Sequence, residues 1–227
     1  MARPVHPQRL WSPDVAEEVK VNRKTYKLLH KGPNVWLIED FLTAKQMNWL
    51  RELSERPKLF KPSVVDIEDG KSAVYDDRTS SSAIVPQSAE EAALKRQICD
   101  TLGVFGTQVE PLQLVKYTRG QKFDVHHDAT IYNEAEETLE APSPGKSFRK
   151  YTIFAYLTDV SAAHGGETTF PKLKLTVRPV GGQALIWRNV NDKDEFDMQL
   201  IHQGLPYKGP AAKIGLNVWI HNKDIRP

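Results

Sequence analysis

The chain contains almost no cysteine: one residue, Cys99, in 227. A lone thiol excludes an internal disulfide and any metal site built from several cysteines. It fits a reducing compartment without requiring one. An excess of one charge is missing too. Lysine and arginine total 31 against 29 acids, a formal net charge of +2. With no basic run interleaved with aromatics, nucleic acid is not an expected partner. No apolar stretch approaches the roughly 20 residues of a membrane-spanning helix. The opening "MARPVHPQRLWSPDVAEEVK" also lacks the continuous apolar core of a secretory signal. The expectation is a soluble protein, cytoplasmic or nuclear, with no membrane partner. Internal repeats are absent.

What is present is ordinary globular composition, 40% hydrophobic and 26% charged. Residues 1–33 are polar and punctuated by proline, and read as an N-terminal extension that packs on a domain spanning 34–227 or stays mobile. "NVWLIEDFLT" suggests a short strand, Val35 to Ile38. Thr43 then offers an N-cap for "AKQMNWLRELSER", where Met47, Leu50 and Leu53 recur at helical spacing. Ser88 offers a cap for a second helix, "AEEAALKRQICDTLG", with acids in its first turn and Gly103 near its stop. Six β-like runs follow, "PLQLVKYT", "KFDVHHD", "KYTIFAYLTDV", "LTVRPV", "QALIWRN" and "KIGLNVWIHN", separated by turn residues. Helices first and many short strands later, without a βαβ rhythm, predict a mostly β (α+β) fold: an antiparallel double sheet with helices packed on one side. The segment from Thr130 to Lys150 is acidic, then rich in Pro, Gly and Ser. It is too long for a plain hairpin connection, and reads as a lid or a flexible insertion.

Chemistry concentrates in "GQKFDVHHDAT". In a strand, residues i and i+2 share a face, so His126 and Asp128 point one way and His127 the other. One nitrogen and one oxygen donor can chelate a single ion, and a third ligand must come from elsewhere. His202, in "FDMQLIHQGLP", supplies one from a late strand. Two histidines and a carboxylate on one side of an ion leave positions open, an arrangement suited to non-haem Fe(II) oxygenases. The plain alternative for His-x-Asp is a strand with solvated polar residues. His6, His30 and His164 lie in polar, loop-like stretches and read as solvated.

Company sharpens this reading. "YTRGQKFDVHHD" resembles the signature of prolyl 4-hydroxylases, members of the Fe(II)- and 2-oxoglutarate-dependent dioxygenases. Tyr117, Gly120, Gln121, His126 and Asp128 match the family spacing. "RKYTIFAYLTDV", "GGETTFP", "VRPVGGQALIW" and "HQGLPYKGPAAKIGLNVWI" resemble further family motifs in the expected order, and "RTSS", from Arg78, resembles an Arg-x-Ser element upstream. The similarity runs over about residues 34–222.

The resemblance implies a double-stranded β-helix, or jelly-roll, core. It implies His126, Asp128 and His202 as the catalytic iron ligands and Lys213 as the counter-charge for the distal carboxylate of 2-oxoglutarate. Tyr117 and Thr152 would hydrogen-bond that cosubstrate and Trp219 would pack beside it. Arg78, Ser80 and His221 would face a peptide substrate. One departure stands out: Lys213 follows His202 by eleven residues, where close family members have ten. The implied reaction uses Fe(II), O2, 2-oxoglutarate and ascorbate. It hydroxylates a peptidyl residue, proline at C4 foremost, and releases succinate and CO2. An acid at 128, in place of Ala or Gly, points to hydroxylation and away from halogenation. The rival readings are the same chemistry on lysyl, asparaginyl or small-molecule substrates, a zinc metalloenzyme, and a non-catalytic peptide-binding module.

Overall fold

The structure, a computed structural model, describes residues 10–21, 24–67, 71–73, 77–141 and 143–225. Both expected helices are present with the expected caps. Helix α1, Ala44–Ser54, starts at a capping box: Thr43 accepts from the Gln46 amide while the Gln46 side chain accepts from the Thr43 amide. It buries Met47, Leu50 and Leu53. Helix α2, Ala89–Leu102, starts where Ser88 accepts from the Glu91 amide, and carries Glu90 and Glu91 in its first turn. Gly103 ends it at φ 67°, a left-handed conformation that costs a residue without Cβ little. No helix among the described residues is long and apolar enough to cross a membrane.

All six expected β runs form strands, and others join them. The larger sheet has nine strands. Three lie early in the chain: β1 (Glu18–Val21), β2 (Lys24–His30) and β3 (Val35–Ile38). Two short ones follow α1, namely β4 (Lys61–Pro62) and, after a small hairpin of β5 (Val65–Ile67) and β6 (Lys71–Ala73), β7 (Ser81–Ile84). After α2 comes β8 (Gln113–Tyr117). The smaller sheet opens with β9 (Phe123–His126), and a second small hairpin pairs β10 (Tyr132–Asn133) with β11 (Thr138–Leu139). The remaining strands are β12 (Arg149–Tyr156), β13 (Thr168–Phe170), β14 (Leu175–Val177), β15 (Ala184–Arg188), β16 (His202–Gly204) and β17 (Lys213–His221).

The nine-stranded sheet runs β1-β2-β3-β15-β12-β17-β8-β7-β4, and the sheet facing it runs β14-β13-β16-β9. Together they form the double-stranded β-helix. The expected division at residues 33 and 34 falls between β2 and β3, which pair in one sheet. Tyr26 and Leu10 of the early segment are fully buried, and Trp36 Nε1 donates to the Leu10 carbonyl. The segment expected to be an insertion contains the β10–β11 hairpin, and its last two residues already belong to β12.

Strand alternation divides the large sheet between two cores. Ile153 and Ala155 of β12 join Ile214, Leu216, Val218 and Ile220 of β17, Leu50, Leu94 and Ile98 on the helical face. Phe154 and Tyr156 point between the sheets, where they meet Val115, Leu185, Trp187 and Phe170. Each fully buried aliphatic or aromatic side chain adds roughly 1.5–3 kcal/mol. On β17 the alternate set, Lys213, Asn217 and Trp219, therefore turns away from the helices and lines a cleft between the sheets. Gly215 sits in that row because a Cβ there would lie 2.5 Å from Phe154 Cζ.

Candidate active site

Strand β9 brings His126 to the mouth of the small sheet, and β16 brings His202 directly opposite, as a paired residue. Asp128 lies just beyond the end of β9, in the turn that follows, yet it joins them as the i, i+2 argument expects. One ligand atom from each of the three side chains lies within 4.8 Å of the other two. His126 Nε2 is 3.7 Å from Asp128 Oδ1, and His202 Nε2 is 3.6 Å from Asp128 Oδ2. These separations are too long for hydrogen bonds and of the size that separates ligands of one ion.

The tautomers are set by the backbone. His126 Nδ1 lies 2.8 Å from the Asp124 carbonyl, and His202 Nδ1 lies 3.0 Å from the Leu200 carbonyl. Each Nδ1 therefore carries the proton and donates it, which leaves a lone pair on each Nε2. Burial, followed by the neighbouring His202, lowers His126 to about 3, so its ring is neutral at physiological pH. Burial works against charge on Asp128 as well. His202, His126, the Thr152 hydroxyl and Arg149 outweigh it, and the carboxyl falls to about 2. The donor set at neutral pH thus includes a neutral imidazole and a carboxylate, and it fits a divalent cation. His127 turns away, as alternation expects. Its ring is buried against Phe196 at 5.7 Å, its Nδ1 accepts from the Ala129 amide, and burial lowers it to about 4.

The other expected residues separate into two groups. Lys213, Tyr117, Thr152 and Trp219 all line the cleft with the three ligand candidates. Lys213 is only 2% exposed and pairs across the sheet with Tyr117, its ammonium 4.7 Å from that ring. Among the described residues none offers it a hydrogen bond or a close ion pair. Burial lowers it to about 8, and the more distant Glu167 opposes that shift. Space has been left beside it: a Cβ on Gly204 would stand 4.0 Å from Nζ. A buried, unpaired ammonium with a gap in front fits a carboxylate. Burial pushes the Tyr117 hydroxyl up, against Arg78 and a hydrogen bond with Ser80.

Thr152 has a different first partner from the one expected. Its hydroxyl donates to Asp128 Oδ2 at 2.6 Å and accepts from Asn189 Nδ2 at 3.1 Å. Its single proton is committed to the carboxylate, so toward any cosubstrate it can only accept.

Arg78, Ser80 and His221 do not line the cleft. Arg78 is buried, donates to the Val64 carbonyl and to Gln113, and stacks on Phe123. Ser80 is buried with its hydroxyl 2.9 Å from that of Ser63. His221 has both ring nitrogens engaged internally, with Ser147 Oγ at 2.6 Å and Glu110 Oε1 at 2.7 Å. Both nitrogens are thus occupied within the chain, and any contact with a peptide would fall to the carbon atoms of the ring.

Two residues were missed. Glu110 accepts a two-pronged bond from Arg149, 2.6 Å from Nε to Oε1 and 3.0 Å from Nη2 to Oε2. Burial opposes charge on Glu110, but His221 and Arg149 hold its carboxyl below the usual range. Arg149 also donates to the Asp128 carbonyl and lies 3.9 Å over the Trp219 ring. A lone Glu in "QVEPLQL" carries no sequence signal of this. Thr168, also missed, lines the cleft and accepts from the Tyr156 hydroxyl. Its place in "GGETTFP" was the available hint.

The family model of the 2OG-Fe(II) oxygenase superfamily matches residues 112–221. The prolyl 4-hydroxylase subunit alpha-1 of Gallus gallus is 29% identical over 193 residues, covering 84% of this chain and 35% of the relative. The probable prolyl 4-hydroxylase 3 of Arabidopsis thaliana is 27% identical over 201 residues, covering 79% and 67%. This chain thus spans about a third of the animal subunit's length. Among solved structures, the viral collagen prolyl hydroxylase of Paramecium Bursaria Chlorella virus-1, in its 2OG complex, shares the fold. It has a TM-score of 0.60 at 21% identity and covers 82% of this chain and 95% of its own.

Proposed function

On the premise that the chain belongs to the 2OG-Fe(II) oxygenase superfamily, we propose that it hydroxylates a peptidyl proline at C4. The cosubstrates are 2-oxoglutarate and O2, the cofactor is Fe(II), and ascorbate keeps the iron reduced. The observation that carries this reading is one juxtaposition. Two imidazoles and a carboxylate present free lone pairs at one end of a cleft, and a buried, unpaired lysine ammonium stands in the same cleft. A zinc site would use the three donors and leave that ammonium without a purpose.

In this reading His126, Asp128 and His202 hold the iron. Bound Fe(II) supplies oxygen activation and the oxidative decarboxylation of 2-oxoglutarate to succinate and CO2. The chain itself supplies orientation and charge. Lys213 takes the distal carboxylate of the cosubstrate, and Thr168 and Tyr117 offer hydroxyls from the cleft walls. Thr152 holds Asp128 through its committed proton, so the carboxylate is fixed before any ligand arrives. Phe123 lies 3.6 Å from His126, stacked on its ring, while Trp187 and Phe170 wall His202. These rings keep the ligand set rigid and largely dry.

The test is direct. Protein supplied with Fe(II), ascorbate and 2-oxoglutarate should release succinate fastest with a proline-containing peptide, and the peptide should gain one oxygen on the proline ring. Iron-loaded protein that makes no succinate with any peptide overturns the reading. Succinate with oxygen placed on a lysyl, asparaginyl or small-molecule substrate would keep the chemistry and replace the substrate.

A further inference from the structure

We propose that Ser147 is a positioning residue: it ties the far end of the 129–148 connection to the side chains that frame the cleft. The connection leaves the site at Asp128 and returns to the sheet at Arg149. Its near end is held by a bridge between His127 and Thr130 and by the Thr130 hydroxyl donating to the Glu140 carbonyl. Most of its described residues between 131 and 146 are exposed. The stretch therefore buries little that could hold it in place.

Its far end is held by a chain of polar contacts that runs back to its beginning. Ser147 Oγ is 2.6 Å from His221 Nδ1, and His221 Nε2 is 2.7 Å from Glu110 Oε1. Ser147 Oγ–H can donate to Nδ1 while Nε2–H donates to the Glu110 carboxylate, and the same hydroxyl lies 3.5 Å from Asn222 Oδ1. Glu110 in turn grips Arg149 with both oxygens, and Arg149 Nη1 donates to the carbonyl of Asp128 at 3.3 Å. The connection is closed on itself by three intervening side chains, two of which sit across β12 and β17 as paired residues, Arg149 and His221. The register shift between Arg149 and Tyr151 turns Arg149 toward Trp219, so the same chain also backs one wall of the cleft.

Ser–His–Glu in line is an order that elsewhere serves a nucleophile. Here Glu110 is also gripped by Arg149, and Ser147 does not line the cleft, so the row of contacts serves to hold position. Phe148 adds a second clasp beside it: its amide donates to Asn222 Oδ1 at 3.1 Å, and its carbonyl accepts from the Asn222 amide at 3.0 Å. These backbone contacts fix the strand entry, while Ser147 is the one side chain of the connection that reaches His221 among the described residues.

The test compares Ser147→Ala with Ser147→Thr, which keeps the hydroxyl. Amide hydrogen exchange across 131–141 and 143–146 should speed up about fivefold in Ser147→Ala, the equivalent of one ordinary hydrogen bond. Exchange in β12 and β17 should stay as it is. Ser147→Thr should return exchange to the wild-type rate. Unchanged exchange in Ser147→Ala, or a Ser147→Thr variant as fast as Ser147→Ala, overturns the proposal. A second arm rests on the catalytic reading above: KM for the peptide should rise by a similar factor, with kcat changing less. If wild-type protein turns over no peptide, that arm is silent on Ser147 and counts against the catalytic reading, and the exchange arm still decides.

Discussion

The cleft and the half-buried polar cluster behind it treat their polar atoms in opposite ways. In the cluster everything is matched. Asn189, fully buried, accepts from Trp187 Nε1 and donates to Thr152 and to the Arg149 carbonyl. Glu110 and His221 likewise use every oxygen and nitrogen they have. In the cleft, Lys213 Nζ and Trp219 Nε1 have no hydrogen-bond partner among the described residues, and two imidazole lone pairs face a carboxylate without touching it. Buried polar groups are normally satisfied. Unmatched atoms also occur at His127 and Thr169, but those in the cleft stand beside a buried ammonium and the three ligand candidates, and that combination marks where a ligand belongs. The cluster is the frame, and the cleft is what the frame keeps open.

Breaking the cleft should have the largest effect. His126→Ala should weaken Fe(II) binding more than about a hundredfold, beyond what loss of a supporting contact does. His127→Ala should leave binding in place, because that ring faces Phe196. Equilibrium dialysis of both variants checks this, and the reverse result would exchange the two histidines.

Next in size is Lys213→Met. It should weaken 2-oxoglutarate binding about a hundredfold, as expected for a lost contact to a charged group worth about 3 kcal/mol. The apo protein should gain stability at the same time. Burial holds Lys213 near 8, below its ordinary 10.5, so the folded state bears a penalty of up to about 3 kcal/mol while the lysine is charged. The sign follows from proton counting. Between about 8 and 10.5 the unfolded chain binds more protons, so wild-type stability rises with pH across that window. The advantage of Lys213→Met should be full below pH 8 and gone above about 10.5, as denaturation at several pH values would show. A smaller effect lies at the boundary between the two regions. Thr152→Val keeps the shape but removes the proton given to Asp128, and metal affinity should fall about tenfold.

Much of this was legible in the sequence, and particular residues show why the rest was not. Helix caps are local, so Thr43 and Ser88 could be read within four residues of their partners. His126 and Asp128 are two apart, and alternation places them together even though the strand stops at His126. His202 was available because a metal site needs a third donor. Glu110 was not, because its partners lie 39 and 111 residues away and a single glutamate has no period. The same distance hides the partners of His221. Taken alone it is a strand-end histidine with free nitrogens, and only the fold brings Ser147 and Glu110 to it. The β1–β2 hairpin was hidden by polar, proline-rich surroundings, although Val21 and Tyr26 bury fully once it pairs with β3.

The central claim is that the cleft keeps an ammonium unpaired for the carboxylate of 2-oxoglutarate. The most direct test is the affinity of Fe(II)-loaded protein for 2-oxoglutarate, measured anaerobically by calorimetry from pH 7 to pH 10. Binding should be nearly constant below about 8, then weaken by up to about tenfold per pH unit as Lys213 must take up a proton to bind. Affinity that stays level to pH 10 in the wild type, and equal in Lys213→Met, would contradict it.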